Sequence, residues 1–412
     1  MKRLIVFGVL ALLSFFYALA TGFALYYRAL YALVIAIAGA WLWARLSLYG
    51  LQVTVERQIR RATVGENIDE RITVRNQTPL PKAWLEVRDL TAMRSNTSGM
   101  VISLGARGFR SWQAKLKAER RGVYLLGPVR VSSADPLGLF TLSRDFLEPE
   151  ELVVYPRTVA LQHLRLLATE TIGEGSIRLR SPQVTPHAAS IREYTPSDAL
   201  SRIHWPSTAR SGRLMVKDFD EGMGGGLWLL VDFHRAVQSG EGADATDEYA
   251  ATVAASVAQR YLFTNLPVGL IVYGENRSLL PPERGEGQLR QVLEMLARST
   301  AEGRVPLDGV LATEANRFDR ATTVVIITPT TQTQWVPLAE ELTRRRVRVV
   351  AIVLDGSTFS AAGSSTRVVE ALAAAGILTY IVRKGDDLEQ VLAFAHARTS
   401  TGDPFQPQAS LV

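Results

Sequence analysis

The chain has 412 residues, 47% of them apolar, which is enough for two or three ordinary packed domains and excludes a disordered protein. It contains no cysteine, which excludes a disulfide framework, a thiolate zinc site and a cysteine nucleophile, and leaves the redox compartment open. Its net charge of +6 permits nucleic acid or anionic lipid as a partner, and proximity to a membrane is the simpler account.

From Leu4 to Ala44 the chain is almost unbroken apolar, apart from Ser14, Thr21, Arg28 and residues suited to bilayer interfaces. At about 20 residues per span, residues 1–46 read as two transmembrane helices joined near Thr21-Gly22, a helical hairpin. Lys2 and Arg3 precede the first helix and Arg45, Arg57, Arg60 and Arg61 follow the second, whereas the turn carries only Arg28. The excess of positive charge places both ends, and the soluble domains, in the cytoplasm at the plasma (inner) membrane. The competing reading is a cleaved signal over Met1–Ala20, with Ala18-Leu19-Ala20 as the small-x-small site.

Residues 47–167 change to period two. VTVERQI, IDERITVRN, WLEVRDL and GVYLLGPVRVSS alternate apolar with polar positions between turn clusters such as Asn76-Gln77-Thr78-Pro79, the pattern of a β-sandwich. Arg120-Arg121 reads as a solvated strand end and Asp135-Pro136-Leu137-Gly138 as a tight turn. Residues 168–222 form a connector. Neither Gly173-Glu174-Gly175 nor Gly224-Gly225-Gly226 has the Gly-Lys-Ser/Thr ending of a phosphate loop.

The connector ends in the densest stretch of mixed charge and aromatic surface, Ile191 to Phe219. Ile191–Tyr194 reads as extended and Thr195-Pro196-Ser197-Asp198 as a helix start. Pro206 disfavours helical geometry at Trp205, so the helix is expected to break there, resume over Ser207–Arg210 and stop at Gly212. Arg213–Phe219 then alternates like an edge strand.

Residues 223–398 alternate buried strands with helices. LWLLVD, VGLIVYG, TVVIIT, VRVVAIVL and ILTYIV are the strands, and helices are expected from near Thr246, Gly285, Leu307, Trp335, Ser365 and Asp386. This alternation predicts an open, mainly parallel, Rossmann-like α/β sheet covered on both faces, with RSLLPP as an antiparallel edge. Residues 399–412 are a polar tail. The five histidines, His163, His187, His204, His234 and His396, lack zinc-hydrolase spacing, no Gly-x-Ser-x-Gly elbow appears, and Arg344-Arg345-Arg346 is accounted for by a helix C-terminus.

Two resemblances rest on these residues. Arg192-Glu193-Tyr194, Asp198, Arg202-Ile203-His204-Trp205, Ala209-Arg210 and Leu214-Met215-Val216 resemble, in order and spacing, the signature of the bacterial family catalogued as domain of unknown function fifty-eight; Ser197 stands where that family usually has Gly. Glu119 to Tyr124, Gly127-Pro128, Asp135 to Phe140 and Tyr155-Pro156-Arg157 resemble its upstream region. The α/β region resembles the von Willebrand factor type A domain, whose divalent metal is held by Asp-x-Ser-x-Ser, a later Thr and a fourth-strand Asp. Here those positions read Asp232, His234 and Ala236, then Val305, then Pro329, a degenerate set in which one carboxylate beside Arg235 is too little for a hard cation. Asp232 is expected to pair with Arg235 or to cap the loop, with an Asp232–His234 acid-base pair as a further option.

These readings imply a membrane-anchored scaffold or adaptor without catalytic residues, cofactor or metal, which binds proteins and membrane lipid and no nucleic acid. The resemblance implies association with a MoxR-class AAA+ ATPase and a transglutaminase-like membrane protein in protein assembly or maturation. Arg192, Glu193, Tyr194, Asp198, Arg202, Trp205 and Arg210 are the candidate contacts, or else a structural knot of ion pairs. The alternatives are an exterior adhesion or ligand-binding module and, more weakly, a hydrolase using Asp232 and His234.

Overall fold

The computed structural model describes residues 2–57, 61–93, 99–164, 166, 188–194, 203–219, 226–320, 322–360 and 363–393. Several expectations therefore lie outside the described residues: the Thr195–Asp198 helix start, Gly173 to Gly175, Gly224-Gly225, Arg202, His187, His396, most of the connector and the polar tail. Contacts divide the chain into two compact units, Met1–Tyr155 and Pro156–Val412.

The first unit opens with helices α1 (Lys2–Thr21) and α2 (Ala24–Leu48), turned at Gly22 with φ +69°. Both are long and apolar enough to cross a membrane. In them only Ala18, Ala40, Ala44, Ser47 and Leu48 are buried among the described residues, so their apolar faces are left without a protein cover.

Ten strands follow: β1 (Leu51–Arg57), β2 (Arg61–Thr63), β3 (Asn67–Asn76), β4 (Lys82–Asp89), β5 (Met100–Leu104), β6 (Phe109–Lys117), β7 (Gly122–Leu126), β8 (Val129–Ala134), β9 (Thr141–Phe146) and β10 (Glu150–Tyr155). They form sheets ordered β1-β3-β6, β2-β10-β7 and β5-β4-β8-β9. Alternation sends one face of β3 inward, through Ile68, Ile72 and Val74. Val74 joins Val53, Leu85, Ile102 and Val131 in one apolar cluster, and Ile68 joins Leu116, Leu126 and Val154 in another.

Two expectations change here. GVYLLGPVRVSS is two strands: Pro128 cannot donate to a ladder, and β7 and β8 go to different sheets on either side of it. Arg121, at the strand end, is buried rather than solvated.

In the second unit, Pro156 to Leu166 packs on α4 (Thr246–Phe263): Val159 N–H donates to Ser256 Oγ at 2.9 Å and Leu166 N–H to the Tyr261 hydroxyl at 2.9 Å. β11 (Ala188–Glu193) pairs antiparallel with β12 (Met215–Phe219), and α3 (Trp205–Ser211) lies between them in sequence. The helix starts at Trp205 and is not delayed to Ser207. Pro206 sits in the first turn, where its missing N–H is not required, and Ser207 and Thr208 N–H both donate to the His204 carbonyl. Gly212 at φ +67° closes it, as its lack of a Cβ permits.

The remaining strands are β13 (Leu227–Asp232), β14 (Val268–Tyr273), β15 (Arg277–Glu283), β16 (Thr323–Thr328), β17 (Arg348–Leu354) and β18 (Leu378–Val382). They form one mixed sheet in the order β15-β14-β13-β16-β17-β18, parallel except for the β14–β15 edge. Every residue of β13 and β16 is buried, as a sheet covered on both faces demands. The core on one face is made with α4, α5 (Glu286–Arg298) and α9 (Leu388–Ala393), and on the other with α6 (Leu307–Glu314), α7 (Val336–Arg344) and α8 (Thr366–Ala374). All six helices begin within about two residues of their sequence-read starts.

Candidate functional site

In an open parallel sheet, ligands sit beyond the carboxyl ends of the strands where the strand order reverses. Here that point lies between β13 and β16, which end in Asp232 and Thr328. A narrow cleft opens there, lined by Asp232, His234, Asp308, Thr330, Gln332 and Trp335 among others. Its enclosed space is about 10 Å³, that of a single water molecule.

The Asp232 carboxylate is already engaged. Its Oδ2 accepts from the Thr328 hydroxyl at 2.6 Å, and its Oδ1 accepts from the His234 backbone N–H at 3.0 Å. Burial pushes the Asp232 pKa up, and the bonds from Thr328 and His234 pull it only partly back. Of the alternatives read from the sequence, Asp232 caps its own loop. His234 meets it through the main chain, and Arg235 is exposed.

That loop is held on three sides. Gln238 Nε2 donates to the Asp232 carbonyl at 3.0 Å, and Thr246 Oγ1 donates to Gln238 Oε1 at 2.8 Å. Gly303 N–H donates to the Phe233 carbonyl at 2.9 Å, and Arg235 N–H donates to the Gly303 carbonyl at 2.9 Å. A Cβ on Gly303 would run into the carbonyl oxygens of Tyr273 and Phe233, so only glycine permits this approach.

The residues do not fit a hard cation. Ala236 and Val305 are exposed and carry no oxygen on their side chains, Pro329 is buried, and Asp232 is bonded to Thr328. Among the described residues no group of three His, Asp or Glu side chains converges.

The signature stretch is the second candidate. β12 is its spine: Arg192 lies opposite Val216 and Glu193 opposite Met215, Tyr194 N–H donates to the Leu214 carbonyl at 2.8 Å, and Ile203 bridges Val216. The start of α3 is tied to the same strand, with His204 N–H donating to the Met215 carbonyl at 2.7 Å and Met215 N–H to Thr208 Oγ1 at 3.0 Å. No residue of α3 is buried, and Trp205 is 65% exposed. Arg210 is exposed too, but five positions on it stands about 140° around the helix from Trp205. Tyr194 is half-buried, and Asp198 and Arg202 lie outside the described residues. The structure thus brings Arg192, Glu193 and Tyr194 onto one ladder and hangs Trp205 and Arg210 beside it.

Two features escaped the sequence reading. Glu314, 1% exposed, accepts from Tyr273 Oη at 2.7 Å, Arg277 Nε at 2.7 Å and Arg317 Nε at 2.9 Å. Burial alone would raise its pKa, but these donors outweigh it and hold the carboxyl at about 2. Lys82, 2% exposed, donates to the Leu46 carbonyl in the last turn of α2, and burial pulls its pKa below the usual lysine value. The only available signal was the Arg277–Glu314 charge pair, 37 positions apart, which no local pattern joins.

Residues 190–360 match the family model described as "Protein of unknown function DUF58". The chain is 24% identical over 315 residues to "Uncharacterized protein YeaD" of Bacillus subtilis (strain 168), covering 74% of this chain and 76% of that protein. Among solved structures, it resembles the C-terminal domain of wzt at 15% identity and TM-score 0.20, covering 26% of this chain and 73% of that one. It also resembles the CARDB domain of the PF1109 protein from Pyrococcus furiosus at 14% identity and TM-score 0.19, covering 25% and 91%.

Proposed function

We propose that this chain, a DUF58-family protein through residues 190–360, is a membrane-anchored scaffold that binds other proteins and catalyses nothing itself. The observation that carries the reading is α3: a helix with no buried residue that presents Trp205 at 65% exposure, fastened through His204 and Thr208 to a strand. Exposed Trp and Arg on a held element are the usual energetic anchors of protein interfaces. The switch-point cleft supports the same reading from the other side, since its carboxylate is spent on Thr328 and its space admits one water.

The finer architecture belongs to this reading. The three sheets of the first unit act as a β-sandwich next to the bilayer, and the six-stranded sheet, with its single antiparallel edge, acts as a von Willebrand factor type A-like platform. The apolar helices anchor both to the inner membrane with the soluble domains in the cytoplasm. The partner is a MoxR-class AAA+ ATPase, in the assembly or maturation of other proteins.

The test is a topology and co-purification experiment on the full chain with a C-terminal reporter. A cytoplasmic reporter, with an AAA+ ATPase co-purifying with the intact chain and lost from a folded Trp205→Ala, Arg210→Ala variant, supports the scaffold. An exterior reporter removes it and leaves an adhesion module in its place.

A further inference from the structure

The turn between β8 and β9, Asp135-Pro136-Leu137-Gly138-Leu139-Phe140, belongs to neither candidate site. It stands against α2: Phe140 shares an apolar groove with Val34, Ile37, Ala38 and Trp41. Trp41 is about 10 Å along the axis from the end of α2 at Leu48, and Val34 about 21 Å. A helix of 25 residues is about 37 Å long and a hydrocarbon core about 30 Å thick, so the outer end of the groove, at Trp41, falls about 7 Å inside the apolar layer if α2 is centred in it.

The turn is built for such surroundings. Backbone N–H groups are costly in lipid unless bonded internally. Leu137 N–H donates to Asp135 Oδ2 at 2.8 Å, Phe140 N–H to Asp135 Oδ1 at 2.6 Å and Gly138 N–H to the Asp135 carbonyl at 3.0 Å, while Pro136 has no N–H. One buried aspartate thus accepts from three of the tip's four N–H groups. Leu139 is 5% exposed and faces the protein, whereas Leu137 is 43% exposed and faces away from it.

The surroundings match. Arg3 Nη1 lies 2.8 Å from where a Cβ on Gly138 would stand, which sets a cation at the start of the first helix against the turn. Tyr49, just past the end of α2, and Leu80 and Trp84, flanking the Lys82 that bonds its last turn, are 68%, 51% and 73% exposed. Exposed Tyr and Trp next to the end of a span are the pattern of a bilayer interface.

We propose that the Asp135–Phe140 turn is a second, non-spanning membrane contact, which seats Leu137 among the acyl chains just beneath the headgroups of the bilayer that α1 and α2 cross. It rests on the reading of those helices as spans. The contact holds the first unit flat on the membrane by an apolar tip in addition to the α2 connection. Insertion of this kind reaches about 5–10 Å below the headgroups.

The absence of cysteine makes the test direct. Leu137→Cys, Ile35→Cys and Glu302→Cys variants of the full chain are each labelled with an environment-sensitive nitrobenzoxadiazole dye and reconstituted in phosphatidylethanolamine–phosphatidylglycerol vesicles. All three positions are exposed on the protein, so the fold is not disturbed. The expected result is that nitroxide-bearing lipid quenches the labels at positions 137 and 35, with iodide excluded from both, while the label at 302 is quenched by iodide alone. A label at 137 open to iodide while that at 35 is quenched by nitroxide lipid overturns the proposal and leaves the anchor standing. A label at 137 shielded from iodide but untouched by nitroxide lipid means a protein cover, such as a second copy, and also overturns it. Loss of lipid quenching at 35 overturns the span reading itself.

Discussion

Thr328 donates a hydroxyl hydrogen bond to Asp232 across the ends of two neighbouring parallel strands, at 2.6 Å and with both side chains buried. In a sheet of this kind the position usually serves a ligand, and here the two side chains serve each other. Thr328→Val keeps the shape and removes the donor, leaving a buried carboxylate short of a bond. The expected cost is about 1–3 kcal/mol, read as a drop in the urea midpoint of the purified chain, with the β13 and β16 amides losing hydrogen-exchange protection.

Asp232 also sets a pH dependence. Burial raises its folded pKa above the unfolded value near 3.8, so the folded state holds the proton more tightly. Its contribution to stability is therefore full below that unfolded value and declines as pH rises through the folded pKa. Asp232→Asn should remove this slope. Denaturation midpoints for the variant and the parent should converge in acid and separate in the variant's favour as pH rises, provided the amide keeps the Thr328 bond.

Glu314 slopes the other way. Its donors Arg277, Tyr273 and Arg317 depress the folded pKa to about 2, below an ordinary value of 4.5. The stability it contributes is present above 4.5 and is lost as pH falls toward 2. Glu314→Gln should lower the thermal midpoint most at neutral pH, with the difference from the parent shrinking steadily between pH 4.5 and 2. A difference independent of pH would mean that packing, not charge, holds the cluster.

Gly303→Ala should cost about 1–3 kcal/mol by overpacking, because its Cβ meets the Phe233 and Tyr273 carbonyls and no side chain is there to yield. The bridge between Gly303 and His234 opens with it. The readout is loss of exchange protection at Gly303 and Arg235, whose amide bonds close the loop.

Lys82→Met keeps the apolar stem and deletes the donor to Leu46 at the end of α2. The Leu46 carbonyl then keeps only the Tyr49 N–H, at 3.2 Å, and the lost bond should cost about 0.5–1.5 kcal/mol. In detergent-solubilised protein, amide exchange at residues 48–52 should quicken, while the β13 to β18 sheet stays unchanged.

Much of this protein was settled by local pattern. Two apolar runs of 20 and 25 residues can only be long helices, and unbroken apolar strands such as Leu227–Asp232 can only sit inside a covered sheet. Glycine placed the end of α3, but Pro128 parted β7 from β8 where no break was read, and Pro206 stopped less than expected because a first turn does not need its N–H. Tertiary structure alone decided what the polar residues do. Asp232 and Thr328 are 96 positions apart, and nothing local says that one satisfies the other. Leu137 and Leu139 are two residues of one type in one turn, and only the fold buries one and leaves the other exposed. Periodicity records which side chains must leave water; which distant groups meet when they do is a property of the packed chain.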